Sequence, residues 1–168
     1  MSAIDRIMQA QTFDKGQYLT LAKGKLPKPD EQLEDDVVPG EYDLKIEKIQ
    51  YRANSQTIGE MIAVEFEVTA SNTEKAPVAS KRSWVQTLAK SHGLSAYKAF
   101  LYAALGARTP EQKAMADKAL PPILTAIEQN QPHMLLGRLV HCTVRPHQTR
   151  EKKWVTINVF GPVDAKKD

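Results

Sequence analysis

The chain predicts an α+β fold, mainly β, with its helices gathered into one insertion. Two observations carry this. Three strand-like runs precede a helical block and two more follow it, and the runs alternate apolar and polar residues with the period of two that a half-buried strand requires.

The first run, Gly40 to Arg52, places Tyr42, Leu44 and Ile46 on one parity and Ile49 and Tyr51 on the other. That slip predicts a bulge near Glu47 and Lys48, which bends a strand as closing a small barrel demands. Ala53 to Gly59 is polar, ends in Gly and reads as a hairpin loop. In the second run Ile62, Val64, Phe66 and Val68 share one face, with Met61, Ala63, Glu65 and Glu67 on the other. The third run, Ala79 to Leu88, is less regular: Trp84 and Leu88 share one parity and Val85 holds the other. The helical block starts at Ser95 as N-cap, carries Tyr97, Phe100, Leu101, Ala104 and Leu105 at helical spacing, and ends at Gly106. A second helix starts at Thr109, with Pro110 at its first position and Gln112 completing a capping box. Pro121 and Pro122 are expected to stop it, leaving a further short helix with Ile123, Leu124 and Ile127. In the last two runs Val140, Cys142 and Val144 form one apolar face, and Val155, Ile157 and Val159 another. Their outer faces are then His141, Thr143 and Arg145, and Trp154, Thr156, Asn158 and Phe160. This order matches a five-stranded barrel of the oligonucleotide/oligosaccharide-binding (OB) type, with helices between strands three and four.

Length and composition fit one core-forming domain, since the chain has 168 residues and is 42% hydrophobic. Residues 40–163 form the expected barrel domain, 1–39 a flexible or partly ordered N-terminal arm, and 164–168 a short tail. Gly24 to Pro39 is rich in charge, Pro and Gly and reads as a linker, while Tyr18 to Ala22 adds a short strand. No run reaches transmembrane length and no apolar signal sequence precedes the body, so a soluble intracellular protein with no membrane partner is expected. The single cysteine, Cys142, excludes an internal disulfide framework.

The formal charge of +3 says little, but its distribution says more. Lys75 to Pro110 holds six Lys or Arg and no acid; Gln129 to Val163 holds Arg138, Arg145, Arg150, Lys152 and Lys153 against Glu151 alone. Asp30 to Asp36 holds five acids. Such segregation is what a groove for a nucleic-acid backbone would produce.

Two constellations sharpen this expectation. In the first, Lys81 and Arg82 lie next to Trp84; in the second, the basic loop from Arg145 through Arg150, Lys152 and Lys153 ends at Trp154. Stacking on an aromatic ring contributes ~1–3 kcal/mol per base and tolerates any sequence, while Lys and Arg supply the salt-dependent attraction. Trp84 fits a barrel core as well as a stacking platform. Glu65 and Glu67 on the second strand push any bound strand toward strands three, four and five.

Catalysis is poorly supported. The histidines His92, His133, His141 and His147 show no paired spacing with one another or with Cys142 of the kind a zinc site needs. Asp30, Asp43 and Lys45 imitate the acid, acid and lysine order of a metal-dependent nuclease, yet Asp30 lies in the Pro-rich linker. There is no phosphate-binding Gly-rich loop and no nucleophile elbow, and neither a cofactor nor a metal is expected.

The run from Gly40 to Gly106, above all APVASKRSWVQTL followed by AYKAFLYAALG, resembles a group of bacteriophage single-stranded DNA-binding proteins encoded with replication and recombination genes. The resemblance covers about two-fifths of the chain. It implies an OB barrel that coats single-stranded DNA in the cytoplasm of the bacterial host, and it carries over the step Arg82-Ser83-Trp84. Unlike the bacterial housekeeping single-strand binders, the chain ends in VDAKKD, without a long acidic tail and terminal aromatic. The leading expectation is sequence-tolerant single-stranded DNA binding without chemistry. The second is an adaptor for phage replication or recombination proteins, and the third the metal nuclease. A homodimer is compatible with all three.

Overall fold

The computed structural model describes residues 2–11, 21–23, 40–55, 59–72, 78–148 and 154–163. In chain order the elements are α1 (Ala3–Gln9), β1 (Leu21–Lys23), β2 (Gly40–Ser55), β3 (Gly59–Ser71), β4 (Lys81–Thr87), α2 (Ser91–Ala104), α3 (Pro110–Glu128), β5 (Leu139–Gln148) and β6 (Trp154–Pro162). The five long strands form one antiparallel sheet in the order β4-β3-β2-β5-β6, which the three-residue β1 extends beside β4. The α+β class and the placement of helices between the third and fourth long strands agree with the sequence. Closure does not: the sheet is not a closed barrel, and α2 packs against both β4 and β6.

The predicted bulge is present. Ile46 pairs with Phe66 and Lys48 with Glu65, so Glu47 is the extra residue, and Tyr42, Leu44, Ile46 and Ile49 are all buried on either side of it. The bulge resets the side-chain alternation so that one strand keeps its apolar residues inward along its length. The β2–β3 hairpin closes at Ser55↔Gly59, where Gly59 takes φ +73°. Of the short strand expected at Tyr18–Ala22, Leu21 and Ala22 lie in β1, with Leu21 registered against Trp84, and residues 18–20 lie outside the described residues. Residues 12–20, 24–39 and 164–168 of the expected arm, linker and tail lie outside the described residues.

Two helix boundaries are corrected. α2 starts at Ser91 rather than after Ser95, with Lys90 at the N-cap position and no side-chain cap. The early start presses the first turn onto the end of β4: a Cβ at Gly93 would lie 1.8 Å from the Thr87 carbonyl oxygen. At the other end Gly106 takes φ +73° and the Ala107 amide donates to the Tyr102 carbonyl at 2.9 Å, as the sequence led one to expect of a glycine terminator. α3 opens with the predicted capping box, in which Gln112 N–H donates to Thr109 Oγ1 at 3.1 Å and Thr109 N–H to Gln112 Oε1 at 3.2 Å. It does not stop at Pro121 and Pro122 but runs through them to Glu128, so the separate short helix is absent. Both prolines are exposed, where water can solvate the carbonyls that lose their donors, while Ala116, Leu120, Ile123, Leu124 and Ile127 keep one buried stripe in phase across them.

The core lies between the inner face of the sheet and the helices, with Phe66, Trp84, Tyr97 and Phe100 fully buried. Phe160 joins it, which corrects the face assignment of the last strand. Phe160 is registered against the buried Cys142, and its ring lies 5.0 Å from Trp84, 5.3 Å from Phe100 and 6.1 Å from Phe66. Directly paired residues share a sheet face. Phe160 is therefore on the inner face, not on the outer face where the alternation of the last strand sets it.

The sequence reading did not anticipate α1. Its Ile7 is in the core, Lys98 Nζ donates to the Met8 and Ala10 carbonyls at 2.5 and 3.0 Å, and Arg6 pairs with Glu60 and donates to the Leu88 carbonyl at 2.8 Å. Lys98 is thus a buried C-terminal cap for α1, and not a groove cation. Among the described residues no helix is long and apolar enough to cross a membrane.

Candidate nucleic-acid interface

Pairing places Glu41, Asp43 and Lys45 on β2, Glu65 and Glu67 on β3, Lys81 on β4, and His141 and Thr143 on β5 across the outer face of the sheet. Carboxylates outnumber cations there, and Glu47, Glu67 and Asp43 are paired. Lys81 Nζ lies 2.6 Å from Glu47 Oε1 and 3.1 Å from Glu67 Oε2, and Lys45 Nζ 3.7 Å from the same Glu67 oxygen. A hydrogen bond with Glu47, and next one with Lys81, holds the Glu67 carboxyl below the usual glutamate range; bonds to Glu47 and then Glu67 push the Lys81 ammonium up. Further along, His141 Nδ1 lies 2.9 Å from Asp43 Oδ1, its cross-strand partner, and Nε2 lies 3.5 Å from Thr143 Oγ1. A phosphate arriving at the centre of this face would meet carboxylates and would compete with them for Lys81.

The first sequence constellation is therefore split by the sheet. Lys81 is on the outer face. Arg82 and Trp84 are on the inner parity, 5% and 0% exposed. Arg82 donates to the Lys81 carbonyl at 2.8 Å. Trp84 lies among Phe100 and Phe160, with ring centroids 5.2 and 5.0 Å away. As folded, no base can reach its ring, which corrects the stacking reading of Trp84 in favour of the core one: an indole on the inner parity of a central layer is the largest apolar group available to fill the space under α2.

The second constellation stays together along the chain. β5 and β6 are paired from Val140↔Pro162 to Gln148↔Trp154, so residues 149–153 connect them. Arg145 is in β5 opposite Ile157 and Trp154 opens β6. Arg150, Lys152 and Lys153 lie outside the described residues. The pairing at Gln148↔Trp154 brackets a segment of five residues, of which these are three.

The nuclease constellation gains nothing. Asp43 is engaged by His141, Asp30 lies outside the described residues, and no cluster of three or more His, Cys, Asp or Glu suited to a metal occurs among the described ones. Cys142 is buried, and burial pushes its thiol far above the ordinary value, so it is no nucleophile. Compared with known proteins, the chain matches no family model and no curated protein.

Proposed function

We propose that the protein binds single-stranded DNA without sequence preference, through the β5–β6 hairpin and not across the centre of the sheet. The observation that carries this is the ladder ending at Gln148↔Trp154, which confines Arg150, Lys152 and Lys153 to one short connection between Arg145 and Trp154. A hairpin tip of that composition combines counterion release from phosphates with an adjacent aromatic residue, the two elements of sequence-tolerant single-strand binding. The acidic outer face of β2 and β3 supports the same placement by excluding the alternative path. The strand order with helices between β4 and β5 suits an OB-type barrel left open between β4 and β6, and with the resemblance of Gly40 to Gly106 it supports a role in phage DNA replication or recombination.

The test is fluorescence anisotropy with a labelled oligo-dT over a salt series, comparing the wild type with Arg150→Ala/Lys152→Ala/Lys153→Ala. The triple variant is expected to bind more weakly and to flatten the slope of log K against log salt by up to about 2, since each phosphate contact on a single strand contributes about 0.7. Unchanged affinity and slope, with circular dichroism intact, would overturn the reading.

The adaptor reading has one observation in its favour. Met134 and Leu136, between α3 and β5, and Leu139 at the start of β5 are 50%, 40% and 41% exposed, and Met115 on α3 is 72% exposed. Apolar side chains so placed suit a protein partner.

A further inference from the structure

α1 has seven residues, below the length at which a helix holds by itself, so the body of the domain keeps it folded. Its seat is a groove built by β3, α2 and α3. Arg6 pairs there with Glu60 near the start of β3 and donates to the Leu88 carbonyl at 2.8 Å, while Ile7 is buried in the core. Lys98 of α2 holds the other end of the helix through the Met8 and Ala10 carbonyls, at 2.5 and 3.0 Å. All of these anchors come from Glu60 and beyond, and the charged pair gives the groove a stated preference: a cation on the incoming helix, four residues after its cap.

The seating is incomplete. A small void lies under the helix, lined by Ile4, Ile7, Tyr51, Ile62, Leu124 and Ile127. Tyr97 borders the same void, and its buried hydroxyl has no hydrogen-bond partner among the described residues. Water reaches such a hydroxyl when the helix lifts, so departure of α1 relieves a cost that docking imposes. Residues 10–20 then join α1 to β1, the outermost strand of the sheet. A connection of that length can span up to roughly 35 Å, against a width of roughly 40 Å for a domain of this size. The tether therefore starts at an edge of the molecule and is long enough to reach past it.

We propose that the groove also accepts α1 of a second copy of this chain, in reciprocal exchange. Arg6 of each copy then meets Glu60 of the other, and Lys98 of each caps the other's helix. The contacts made between copies are those given up within one, so the balance rests on the concentration of neighbouring chains against the effective concentration set by the tether. Crowding of copies favours the exchanged form. The inference is independent of the hairpin interface, with which the groove shares no residue.

The test uses two charge reversals in the full chain, Arg6→Glu and Glu60→Arg. In either variant alone, like charges meet at the groove whether α1 docks within its own copy or on another. In an equimolar mixture, exchange between the two variants, and nothing else, brings opposite charges together, and it does so at both grooves. Each variant alone is expected to be monomeric by sedimentation equilibrium, with a lowered thermal midpoint. The mixture is expected to give a dimer of mixed composition by native mass spectrometry, at least about tenfold more abundant than dimer in either variant alone, and to lose it at high salt. A mixture that behaves as the sum of its two components overturns the proposal. So does a mixed dimer that survives deletion of residues 1–10 from both variants, because it then forms through some other surface. Should a reversal unfold the chain by circular dichroism, wild-type chains of two isotopic masses are mixed at concentrations approaching the millimolar range of tethered groups. Mixed-mass dimers that vanish on deletion of residues 1–10 support exchange, and their absence overturns it.

Discussion

The rings of Trp84 and Phe160 meet with centroids 5.0 Å apart and planes at 53°. Their strands, β4 and β6, stand at opposite ends of the five long strands. The sheet must therefore coil until its two ends face each other across the core. Phe100 of α2 packs on both, 5.2 Å from Trp84 and 5.3 Å from Phe160. Among the described residues no ladder joins β4 to β6, and this aromatic triad, with α2 against both strands, links the two sheet ends through side chains.

Trp84→Ala is accordingly expected to cost ~3–5 kcal/mol of stability, as deletion of a buried large aromatic does, with no loss of single-strand affinity per folded molecule. Chemical denaturation and anisotropy on the same samples separate the two quantities. In a Trp154→Phe background the remaining indole should emit at short wavelength and ignore added oligo-dT; quenching on addition would return Trp84 to the interface.

Gly93 is the tightest backbone approach at the start of α2. With a Cβ placed 1.8 Å from the Thr87 carbonyl oxygen, Gly93→Ala must move the helix off β4. The expected loss is at or above the upper end of the ~1–3 kcal/mol typical of overpacking, although alanine is the better helix former. A Gly93→Ala protein as stable as the wild type in urea would show that the α2–β4 junction yields freely.

The outer-face network predicts a pH signature. Glu67 has its folded-state carboxyl held low, by Glu47 first and then by Lys81 and Lys45. A depressed folded pKa adds stability that is fully present above the ordinary glutamate range and is lost as pH falls through the folded value. Glu67→Gln should therefore unfold slightly earlier than the wild type at neutral pH and match it in acid. The difference is small because these side chains are exposed and screened by solvent. Midpoints that differ by the same amount at every pH would exclude the ion pairs as its source.

What was legible in the sequence was what local chemistry decides. The slip from Ile46 to Ile49 announced the bulge, and Thr109 with Gln112 announced the capping box, because each involves residues within one turn or pleat. What tertiary packing decides was not legible. Pro121 and Pro122 break a helix by local rules, yet the buried stripe on either side carries α3 through them. α1 has seven residues, too few to be stable alone, and owes its place to Lys98 and Glu60, both far along the chain. In β6 the alternation offered Val155, Ile157 and Val159 as the apolar face and set Phe160 outside, and only its pairing with Cys142 and its ring contacts with Trp84 and Phe100 bring Phe160 inward. The candidate site divides along the same line: a basic loop can be read from composition, but whether Trp84 faces in or out depends on the layer above it.

Trp154 carries the last prediction. The inward position of Phe160, which shares its parity, removes the sequence argument that set Trp154 on the outer face; its place immediately after Lys153, at the pair that ends the β5–β6 ladder, remains. Trp154→Ala is expected to reduce single-strand affinity by ~1–3 kcal/mol, and Trp154→Phe to recover most of it, as base stacking requires. Trp84 and Trp154 are the only two tryptophans, so in a Trp84→Phe background the indole signal reports Trp154 alone. Oligo-dT should quench it in proportion to occupancy. If instead the alanine variant loses several degrees of thermal midpoint while its folded fraction binds oligo-dT as the wild type does, the ring is structural, and the hairpin binds through its charges only.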